Sequence, residues 1–354
     1  MIKTSSKTVL IGLSGGVDSA IAAKLLKEAG FNVMGVYLKL WNEKLSVLKE
    51  RESLVKKVAQ KIEVPLIIYN AQKEFKEYVI DYFLKELKNG YTPNPCIDCN
   101  YFVKFKVLSQ LASKLKAQYI ATGHYARIKK TKQNGKIIYE LLRGKDKNKD
   151  QSYFLWRLNQ NILRKTIFPL AEFKKEEVKK MADFWQIKVT KPVKESQNLC
   201  FTNDLEKFIL KNLKTQKGAI FDLTQNKKVG EHLGIYFYTI GQRKNIRIPY
   251  KEPYYVVKKD KKTNQLFIAP ASKKEFFQTD EIKLERVNFV SFKPKLPLKC
   301  EVKIRYRSQF IKAILFQKYK KYHLKILKPV SFVTPGQSAV FYQKEKLIGG
   351  GVIK

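Results

Sequence analysis

Cysteine and histidine are scarce in this chain, which has four cysteines and three histidines in 354 residues. Four cysteines are too few for the disulfide framework of a secreted protein of this length, so the sequence indicates a reducing compartment. The three histidines, His124, His232 and His323, are scattered, and Cys96 and Cys99 form a single Cys-x-x-Cys pair. The sequence therefore lacks a complete set of structural zinc ligands at the usual spacing.

Long apolar runs are also missing, because no stretch approaches the roughly 20 residues of a membrane-spanning helix. The N-terminal segment MIKTSSK precedes the first apolar run by only a few residues, which leaves no room for a signal or transit peptide. We therefore expect a cytoplasmic protein without a membrane anchor, with the stroma of an organelle as the alternative. We expect a monomer, although no sequence feature sets the oligomeric state.

Acidic residues are few: 31, against 71 lysines and arginines, which gives a formal net charge of +40. Solubility does not require so large an excess, and a polyanion such as nucleic acid is the first candidate partner. A coding bias towards lysine explains part of it, as in the runs 129–136 and 258–262. The excess as a whole still favours an anionic partner.

The first half of the chain alternates apolar segments with amphipathic ones. TVLIGL is typical of a buried parallel strand, and NVMGVYL, VPLIIYN and AQYIATG are further strand candidates, separated by predicted helices. This order predicts a doubly wound parallel α/β sheet, which binds ligands beyond the carboxyl ends of its strands. After about residue 205, short strands with polar turns predict a barrel or sandwich. We predict three domains: 1–205, a catalytic α/β domain; 206–275, a small β-rich domain; and 276–354, a β-barrel.

A glycine-rich loop, GLSGGVDS, joins the first predicted strand to the first helix. Its glycines let the backbone approach a phosphate, and the N–H groups that open the helix can bind one. The loop is neither a Walker A motif nor GxGxxG. Asp18 stands where nucleoside triphosphatases carry lysine, and we expect it to help hold a Mg²⁺ ion that arrives with the nucleotide.

The sequence SGG-x-DS resembles the PP-loop of the ATP pyrophosphatase superfamily. Members of that superfamily cleave ATP between the α and β phosphates and adenylate an oxygen of the substrate. The resemblance implies an ATP-binding loop made of Gly12, Leu13, Ser14, Gly15, Gly16, Val17, Asp18 and Ser19.

Two cysteines, Cys96 and Cys99, lie in TPNPCIDCN, just before a predicted helix. Their spacing leaves open a redox pair or half of a zinc site. The start of a helix lowers the pKa of a thiol, and Lys104 and Lys106 act in the same direction, so we expect Cys99 to be partly thiolate. Cys200 follows a polar stretch that favours a loop, although a lone cysteine more often packs as a small apolar residue.

Several motifs, in this order, resemble the MnmA family of tRNA-specific 2-thiouridylases over nearly the whole chain: GLSGGVDS, TPNPCIDCN followed by VKF, ATGHYAR, KDQSYFLW, ESQNLCF, YTIGQRK, and TPGQSAVFY followed by LIGGG. The resemblance implies an enzyme that replaces oxygen with sulfur at C2 of the wobble uridine, position 34, of tRNA. It implies that ATP adenylates the C2 oxygen, and that AMP and pyrophosphate are released. It also implies a donor protein that delivers persulfide sulfur, and a C-terminal barrel that holds tRNA.

Residue roles follow from the same motifs. The resemblance implies that Cys200 carries the persulfide, that Cys99 is the second catalytic cysteine, and that a transient disulfide between them is reset by a reductant. It implies further ATP contacts at Leu38 and Gly123. The implied contacts with the target base are Asn94, Pro95 and Cys96. The implied contacts with tRNA are His124, Lys149, Asp150, Gln151, Arg305, Tyr306 and Gln337. An Arg-Tyr pair suits RNA, since arginine binds phosphate and tyrosine stacks on a base that has left its own stack.

The chain departs from the family pattern at Cys96, where many members carry an aspartate that is a candidate general acid or base. Asp98 is nearby but out of register. Cys96, Cys99 and Cys200 together could also hold an iron–sulfur cluster.

Two other classes of function stay open at this point. A small-molecule PP-loop ligase would not need Cys99 or Cys200, and a non-enzymatic RNA-binding protein would keep the loop without its chemistry. The sequence does not identify the sulfur donor or the set of tRNAs.

Overall fold

The protein is described from a computed structural model, which covers residues 7–41, 45–133, 135–187, 199–246, 248 and 252–354. The strands, in chain order, are β1 (Thr8–Gly12), β2 (Asn32–Lys39), β3 (Leu66–Asn70), β4 (Tyr119–Ala121), β5 (Ala126–Gln133), β6 (Lys136–Arg143), β7 (Thr166–Ile167), β8 (Gly218–Asp222), β9 (Lys227–His232), β10 (Tyr254–Asp260), β11 (Gln265–Pro270), β12 (Gln278–Phe289), β13 (Leu298–Lys303), β14 (Ile311–Lys318), β15 (Lys321–Ser331), β16 (Ser338–Gln343) and β17 (Lys346–Ile353).

The helices precede or follow these strands. They are α1 (Val17–Glu28), α2 (Leu45–Lys61), α3 (Gln72–Phe75), α4 (Tyr82–Lys88), α5 (Pro95–Asp98), α6 (Lys106–Lys114), α7 (Gln160–Leu163), α8 (Lys175–Phe184) and α9 (Leu205–Asn212). The π-helical segments Lys76–Asp81 and Cys99–Phe105 join α3 to α4 and α5 to α6, and short 3₁₀ helices span Ser152–Leu155, Ile235–Phe237 and Lys274–Phe276.

The first domain is built on a parallel sheet with the strand order β3-β2-β1-β4-β7. Its central strand is buried on both sides: Val9 and Ile11 pack into one hydrophobic cluster and Leu10 into another. This explains why the run TVLIG is apolar at every inner position rather than at alternate ones. The predicted doubly wound sheet is confirmed, and the carboxyl ends of β1, β2 and β4 lie side by side.

The second sheet has the order β10-β11-β8-β9. It consists of two antiparallel hairpins that are joined through the parallel pair β8–β11. The C-terminal strands β12-β15-β14-β13-β16-β17 form a barrel, which is closed by pairing of β12 with β17. The barrel predicted from the short alternating strands is therefore confirmed.

A hairpin from the first half of the chain extends the barrel sheet. Strand β6 pairs with β17 through Leu141 and Leu347, and β5 lies outside β6. The sequence did not predict this hairpin, because ARIKKTKQ is too polar to stand out as a strand. The first domain and the barrel consequently share one sheet.

Within the part of the chain that the structure describes, no helix is both long and apolar enough to cross a lipid bilayer.

Candidate active site

The glycine-rich loop lies at the carboxyl end of β1 and is held in shape by its own serines. The backbone N–H of Ser14 donates to Ser19 Oγ at 3.2 Å, and Ser19 Oγ donates to the Gly16 carbonyl at 2.9 Å. Gly15 has φ +81°, a conformation that favours glycine. These contacts leave the N–H groups at the start of α1 available for a phosphate.

Gly123, at the carboxyl end of β4, packs directly on this loop. A Cβ at position 123 would lie 3.0 Å from the carbonyl carbon of Asp18 and from the nitrogen of Ser19. Leu38 is half-buried near the end of β2 and contacts the cluster that contains Cys99. The two ATP contacts predicted outside the loop thus lie at the same edge of the sheet as the loop.

Asp18 is held by two side chains from outside the loop. Lys175 Nζ donates to its two carboxylate oxygens at 2.6 and 2.8 Å, and the Tyr125 hydroxyl donates to Oδ1 at 2.8 Å. Tyr125 belongs to the ATGHYAR motif, whereas Lys175 lies at the start of α8. Asp18 is an oxygen ligand of the kind that Mg²⁺ takes, together with the phosphates of a nucleotide.

The helix that carries the first two cysteines begins earlier than the sequence suggested. Pro95 is its first residue, and the side chain of Asn94 caps it by accepting from the Cys96 N–H at 3.2 Å. Cys99 directly follows α5 and opens the π-helical segment, so it lies inside a continuous helical stretch. The prediction that the pair precedes the helix is wrong, because proline suits the first turn of a helix and starts it there.

Burial decides the state of these thiols. It raises the pKa of Cys96 to about 11 and that of Cys99 to about 12, and the positive charge of Lys104 offsets only part of this shift. The expectation that Cys99 is partly thiolate is therefore wrong for the ligand-free protein. Removal from water outweighs both the helix start and the lysine.

The structure brings Cys200 to the same region. Desolvation is the main cause of the raised pKa values of Cys96 and Cys99, and the thiol of Cys200 is close enough to add to both shifts. The next residue, Phe201, packs against Phe75 and Phe83 in the cluster that contains Cys99. Residues 195–198 of the motif ESQNLCF lie outside the described residues.

Cys200 differs from the other two thiols in its exposure. It is exposed, whereas Cys99 is buried and Cys96 is half-buried. Desolvation is the main influence on the Cys200 thiol and raises its pKa, while the positive charges of Lys104 and Arg51 oppose this shift. An exposed sulfur at this position is accessible to an external sulfur donor, and a buried one is not.

No metal centre accompanies the cysteines in the described ranges. No group of three or more cysteine, histidine, aspartate or glutamate side chains is arranged there to hold a metal ion. The three thiols are near one another without forming a set of ligands, and the four cysteines are free of disulfides.

His124 is a neutral side chain that packs in the wall of the site. Its Nδ1 lies 2.8 Å from Thr122 Oγ1, and its ring packs against Phe105 and Phe168. Burial, assisted by the charge of Lys104, lowers the pKa of His124 to about 3. The imidazole is therefore uncharged at neutral pH, and its contact with tRNA remains a prediction.

Asp98 is the nearest carboxylate to Cys96 in sequence, but it already has a partner. It is buried and forms an ion pair with Arg157, whose guanidinium also lies over the rings of Tyr101 and Phe102. An aspartate held in this way is not a substitute for the carboxylate that many family members carry at the position of Cys96.

In the segment Lys149–Gln151, the side chains of Asp150 and Gln151 bond to other parts of the protein. Asp150 is buried, pairs with Arg143 at 3.3 Å and accepts from Gly144 N–H at 3.1 Å. Gln151 Oε1 accepts from the Tyr125 N–H at 3.1 Å. Asp150 and Gln151 thus fix the conformation of this loop, and a contact of the loop with tRNA remains a prediction.

Arg305, Tyr306 and Gln337 lie where the three domains meet. Arg305 donates to the carbonyl oxygens of Ile240 and Phe332 at 3.3 and 2.8 Å, which ties the central domain to the barrel. Gln337 Nε2 donates to the Thr92 carbonyl at 2.8 Å, at the start of the cysteine loop.

Aromatic residues of the first domain also pack at this junction. Tyr306 packs on Phe154 with ring centroids 4.4 Å apart. The buried Tyr153 donates to the Ser338 carbonyl at 2.9 Å and also bonds the side chain of Asn94. Of the predicted base-contacting and tRNA-contacting residues, Asn94, Arg305 and Tyr306 thus lie close to Tyr153.

Four residues of the site were not identified from the sequence: Lys175, Tyr125, Tyr153 and Arg157. Tyr153 lies inside the motif KDQSYFLW, so a signal for it existed. Lys175 is one of many lysines in a chain with 71 basic residues, and nothing in the local pattern distinguishes it. Arg157 is likewise distinguished only by its spatial contact with Asp98.

Family models match three successive segments of the chain. They are described as the "tRNA methyl transferase HUP domain" at residues 7–204, the "tRNA methyl transferase PRC-barrel domain" at residues 206–270 and the "Aminomethyltransferase beta-barrel domain" at residues 279–353. Among solved structures, the chain is 20% identical to the U34-tRNA thiolase NcsA from Methanococcus maripaludis with its 4Fe-4S cluster, over 55% of this chain and 61% of that one. The TM-score of 0.36 is too low for this similarity to carry an argument.

Curated relatives match along their whole length. The chain is 36% identical to the tRNA-specific 2-thiouridylase MnmA of Karelsulcia muelleri over 98% of each chain. It is 40% identical to the tRNA-specific 2-thiouridylase MnmA of Treponema denticola, over 98% of this chain and 97% of the relative.

Proposed function

The chain belongs to the tRNA-specific 2-thiouridylase MnmA family, and from that membership we propose that it is a tRNA-uridine 2-sulfurtransferase. Its substrate is the wobble uridine of tRNA, at which sulfur replaces the oxygen on C2. One observation carries the proposal: Lys104 acts on the thiols of Cys96, Cys99 and Cys200 and also on His124, whose neighbour Gly123 packs on the glycine-rich loop.

The first step uses ATP to activate the uridine. The C2 oxygen attacks the α-phosphorus of ATP, the bond between the α and β phosphates breaks, and pyrophosphate leaves. Residues 12–19 bind the phosphates through backbone N–H groups, and Gly123 and Leu38 border the nucleotide. A Mg²⁺ ion neutralises phosphate charge when it is bound, and Asp18 is the residue that fits it.

The second step transfers sulfur. The outer sulfur of a persulfide on Cys200 attacks C2, and AMP leaves with the original oxygen. Cys99 then attacks the inner sulfur of Cys200, which breaks the S–S bond, releases the 2-thiouridine and forms a Cys99–Cys200 disulfide. A thiol reductant supplies the two electrons that restore both cysteines.

The exposure of the two cysteines supports this division of roles. Cys200 is exposed and accessible to a donor protein that carries a persulfide, whereas Cys99 is 5% exposed and shielded from bulk reductants. Cys99 must lose a proton before it attacks, and Lys104 provides the positive charge that favours the thiolate. An iron–sulfur cluster is not part of this scheme.

The tRNA side of the proposal rests on the junction around Tyr153. Asn94, Pro95 and Cys96 border the pocket for the flipped uridine. His124, residues 149–151, Arg305, Tyr306 and Gln337 contact the tRNA, and the net charge of +40 favours its phosphates. The division into a catalytic domain (1–205), a central domain (206–275) and a tRNA-binding barrel (276–354) belongs to the same proposal.

Pyrophosphate release tests the first step. Purified protein is incubated with Mg-ATP, a tRNA transcript that carries U34, and glutathione persulfide as the sulfur donor. We expect pyrophosphate only when the tRNA is present, and none with a transcript that carries C34. Pyrophosphate release without tRNA would favour a small-molecule ligase, and no release under any condition would favour a non-enzymatic RNA-binding protein.

A further inference from the structure

An ion pair at the ATP loop has no role in the steps above. The ammonium of Lys175 lies 2.6 and 2.8 Å from the two carboxylate oxygens of Asp18, and its side chain is only 15% exposed. Walker-type loops supply a lysine to the nucleotide phosphates from within the loop itself. Here that position holds Asp18, and the ammonium arrives from α8.

We propose that Lys175 binds the β and γ phosphates of ATP, and that Asp18 holds it in position until the nucleotide arrives. The proposal rests on the ATP use proposed above and adds a residue to the same site. With Mg-ATP bound, Asp18 would be the residue that holds the metal ion, and the ammonium of Lys175 would pair with the phosphates. The Asp18 carboxylate and the Lys175 ammonium would thus each have a partner of opposite charge before and after ATP binds, which avoids the cost of an unpaired buried charge.

The backbone around Lys175 is fixed well enough for this task. Its N–H donates to Asp146 Oδ2 at 2.9 Å, which anchors the first turn of α8. Further along the same helix, Val178 and Ala182 pack into the cluster that contains Ile21 of α1. The ammonium is therefore carried by a helix that packs against the helix opened by the ATP loop, and only its flexible stem has to move.

Tyr125 keeps Asp18 in place from the other side. Its hydroxyl donates to Asp18 Oδ1 at 2.8 Å. Its backbone N–H donates to Gln151 Oε1 at 3.1 Å, and its carbonyl accepts from the Gln151 N–H at 2.9 Å. When Lys175 moves to the phosphates, Asp18 thus retains one hydrogen bond that aims its carboxylate.

Equilibrium binding to the full chain without tRNA tests the proposal, with Mg-ATP and AMP as the two probes. Replacing Lys175 by Met should raise the Kd for ATP about 10- to 100-fold, the range expected for loss of a hydrogen bond between charged groups. The Kd for AMP, which lacks the β and γ phosphates, should stay within about twofold. Lys174→Met is the matched control, because Lys174 is the exposed neighbour, and it should change neither value.

The outcomes separate this proposal from the proposed function. If the unsubstituted protein binds ATP and Lys175→Met binds it equally well, Lys175 is not a phosphate ligand, whereas the ATP use stands. An equal loss of ATP and AMP binding in Lys175→Met would show that Lys175 only supports the fold of the loop. If the unsubstituted protein binds no ATP, the ATP use itself is overturned together with this proposal.

A second variant covers the case in which Lys175→Met does not fold. In EDTA, Asp18→Asn should bind ATP more tightly than the unsubstituted protein, because the ammonium no longer has to leave the Asp18 carboxylate. The double variant Asp18→Asn/Lys175→Met removes both charges of this ion pair and should lack the gain. The same ATP affinity for all three proteins in EDTA would overturn the proposal.

Discussion

The reactivity of the cysteines towards iodoacetamide should differ by orders of magnitude in the protein without ligands. Iodoacetamide alkylates the thiolate and not the thiol. Burial raises the pKa of Cys99 from 9.0 to about 12, so at pH 8 its thiolate is about 1,000-fold rarer than that of an ordinary thiol. Burial also limits the access of iodoacetamide to the Cys99 sulfur, which slows the alkylation further. Cys200 is exposed, and although desolvation raises the pKa of its thiol, the charges of Lys104 and Arg51 oppose this shift.

Timed alkylation followed by peptide mass spectrometry measures each rate separately. We expect Cys200 to react at least about 100-fold faster than Cys99 at pH 8. The rate at Cys99 should rise about tenfold per pH unit between pH 7 and 9, because the thiol titrates above that range. Cys300, a buried thiol of the barrel whose pKa is also about 12, is an internal reference and should react as slowly as Cys99.

Substitution of Lys104 tests the electrostatic part of this account. Its charge lowers the pKa of Cys99 and of Cys200, so Lys104→Met should slow the alkylation of both. Lys106→Met is the matched control, because the ammonium of Lys106 lies over the rings of Tyr78 and Phe102 and, against the expectation from the sequence, Lys104 and not Lys106 is among the charges that shift the pKa of Cys99. Equal rates for Cys99 and Cys200, or a plateau for Cys99 below pH 9, would refute the reasoning.

Three further predictions follow from contacts in the site. Gly123→Ala should weaken ATP binding about tenfold or more, because its Cβ would lie 3.0 Å from the loop backbone. Gly230→Ala is the control, because its Cβ would meet nothing closer than 3.5 Å. Equal ATP affinities for the two variants would contradict the account. Burial lowers the pKa of His124 from 6.5 to about 3, so the stability that the neutral ring contributes is present above pH 6.5 and is lost as the pH falls from 6.5 towards 3. The NMR signals of the His124 ring should therefore not titrate between pH 5 and 8. Arg157→Met should destabilise the protein by about 3–5 kcal/mol because it leaves Asp98 buried and unpaired, and Asp98→Asn/Arg157→Met should recover much of this loss in thermal unfolding.

The parts of the fold that depend on local pattern were predictable from the sequence. The apolar run that forms β1, the glycine-rich loop after it and the short alternating strands of the barrel each carry their own signal. The hairpin of β5 and β6 carries almost none, because β5 is mostly polar and the hairpin is fixed by the pairing of β6 with β17. Long-range pairing of this kind is decided by tertiary contact and not by the segment itself.

The chemistry of the site was predictable in its residues but not in their states. The sequence identified Cys99 and Cys200 as a pair, yet the pKa of Cys99 depends on how much water surrounds it, which no spacing reveals. Lys175 was missed for a related reason, because its partner Asp18 lies 157 positions away in the chain. Asp98 is out of register with the family's aspartate in the sequence, and its ion pair with Arg157 is a further reason that only the structure reveals.

Formation of 2-thiouridine at position 34 tests the central claim most directly. A tRNA transcript is incubated with Mg-ATP and glutathione persulfide, digested to nucleosides and analysed by mass spectrometry. We expect one 2-thiouridine per tRNA from the unsubstituted protein, and none from Cys99→Ser or Cys200→Ser, while Cys300→Ser retains full activity. Undiminished thiolation by Cys99→Ser and Cys200→Ser would contradict the claim that these two cysteines carry the sulfur.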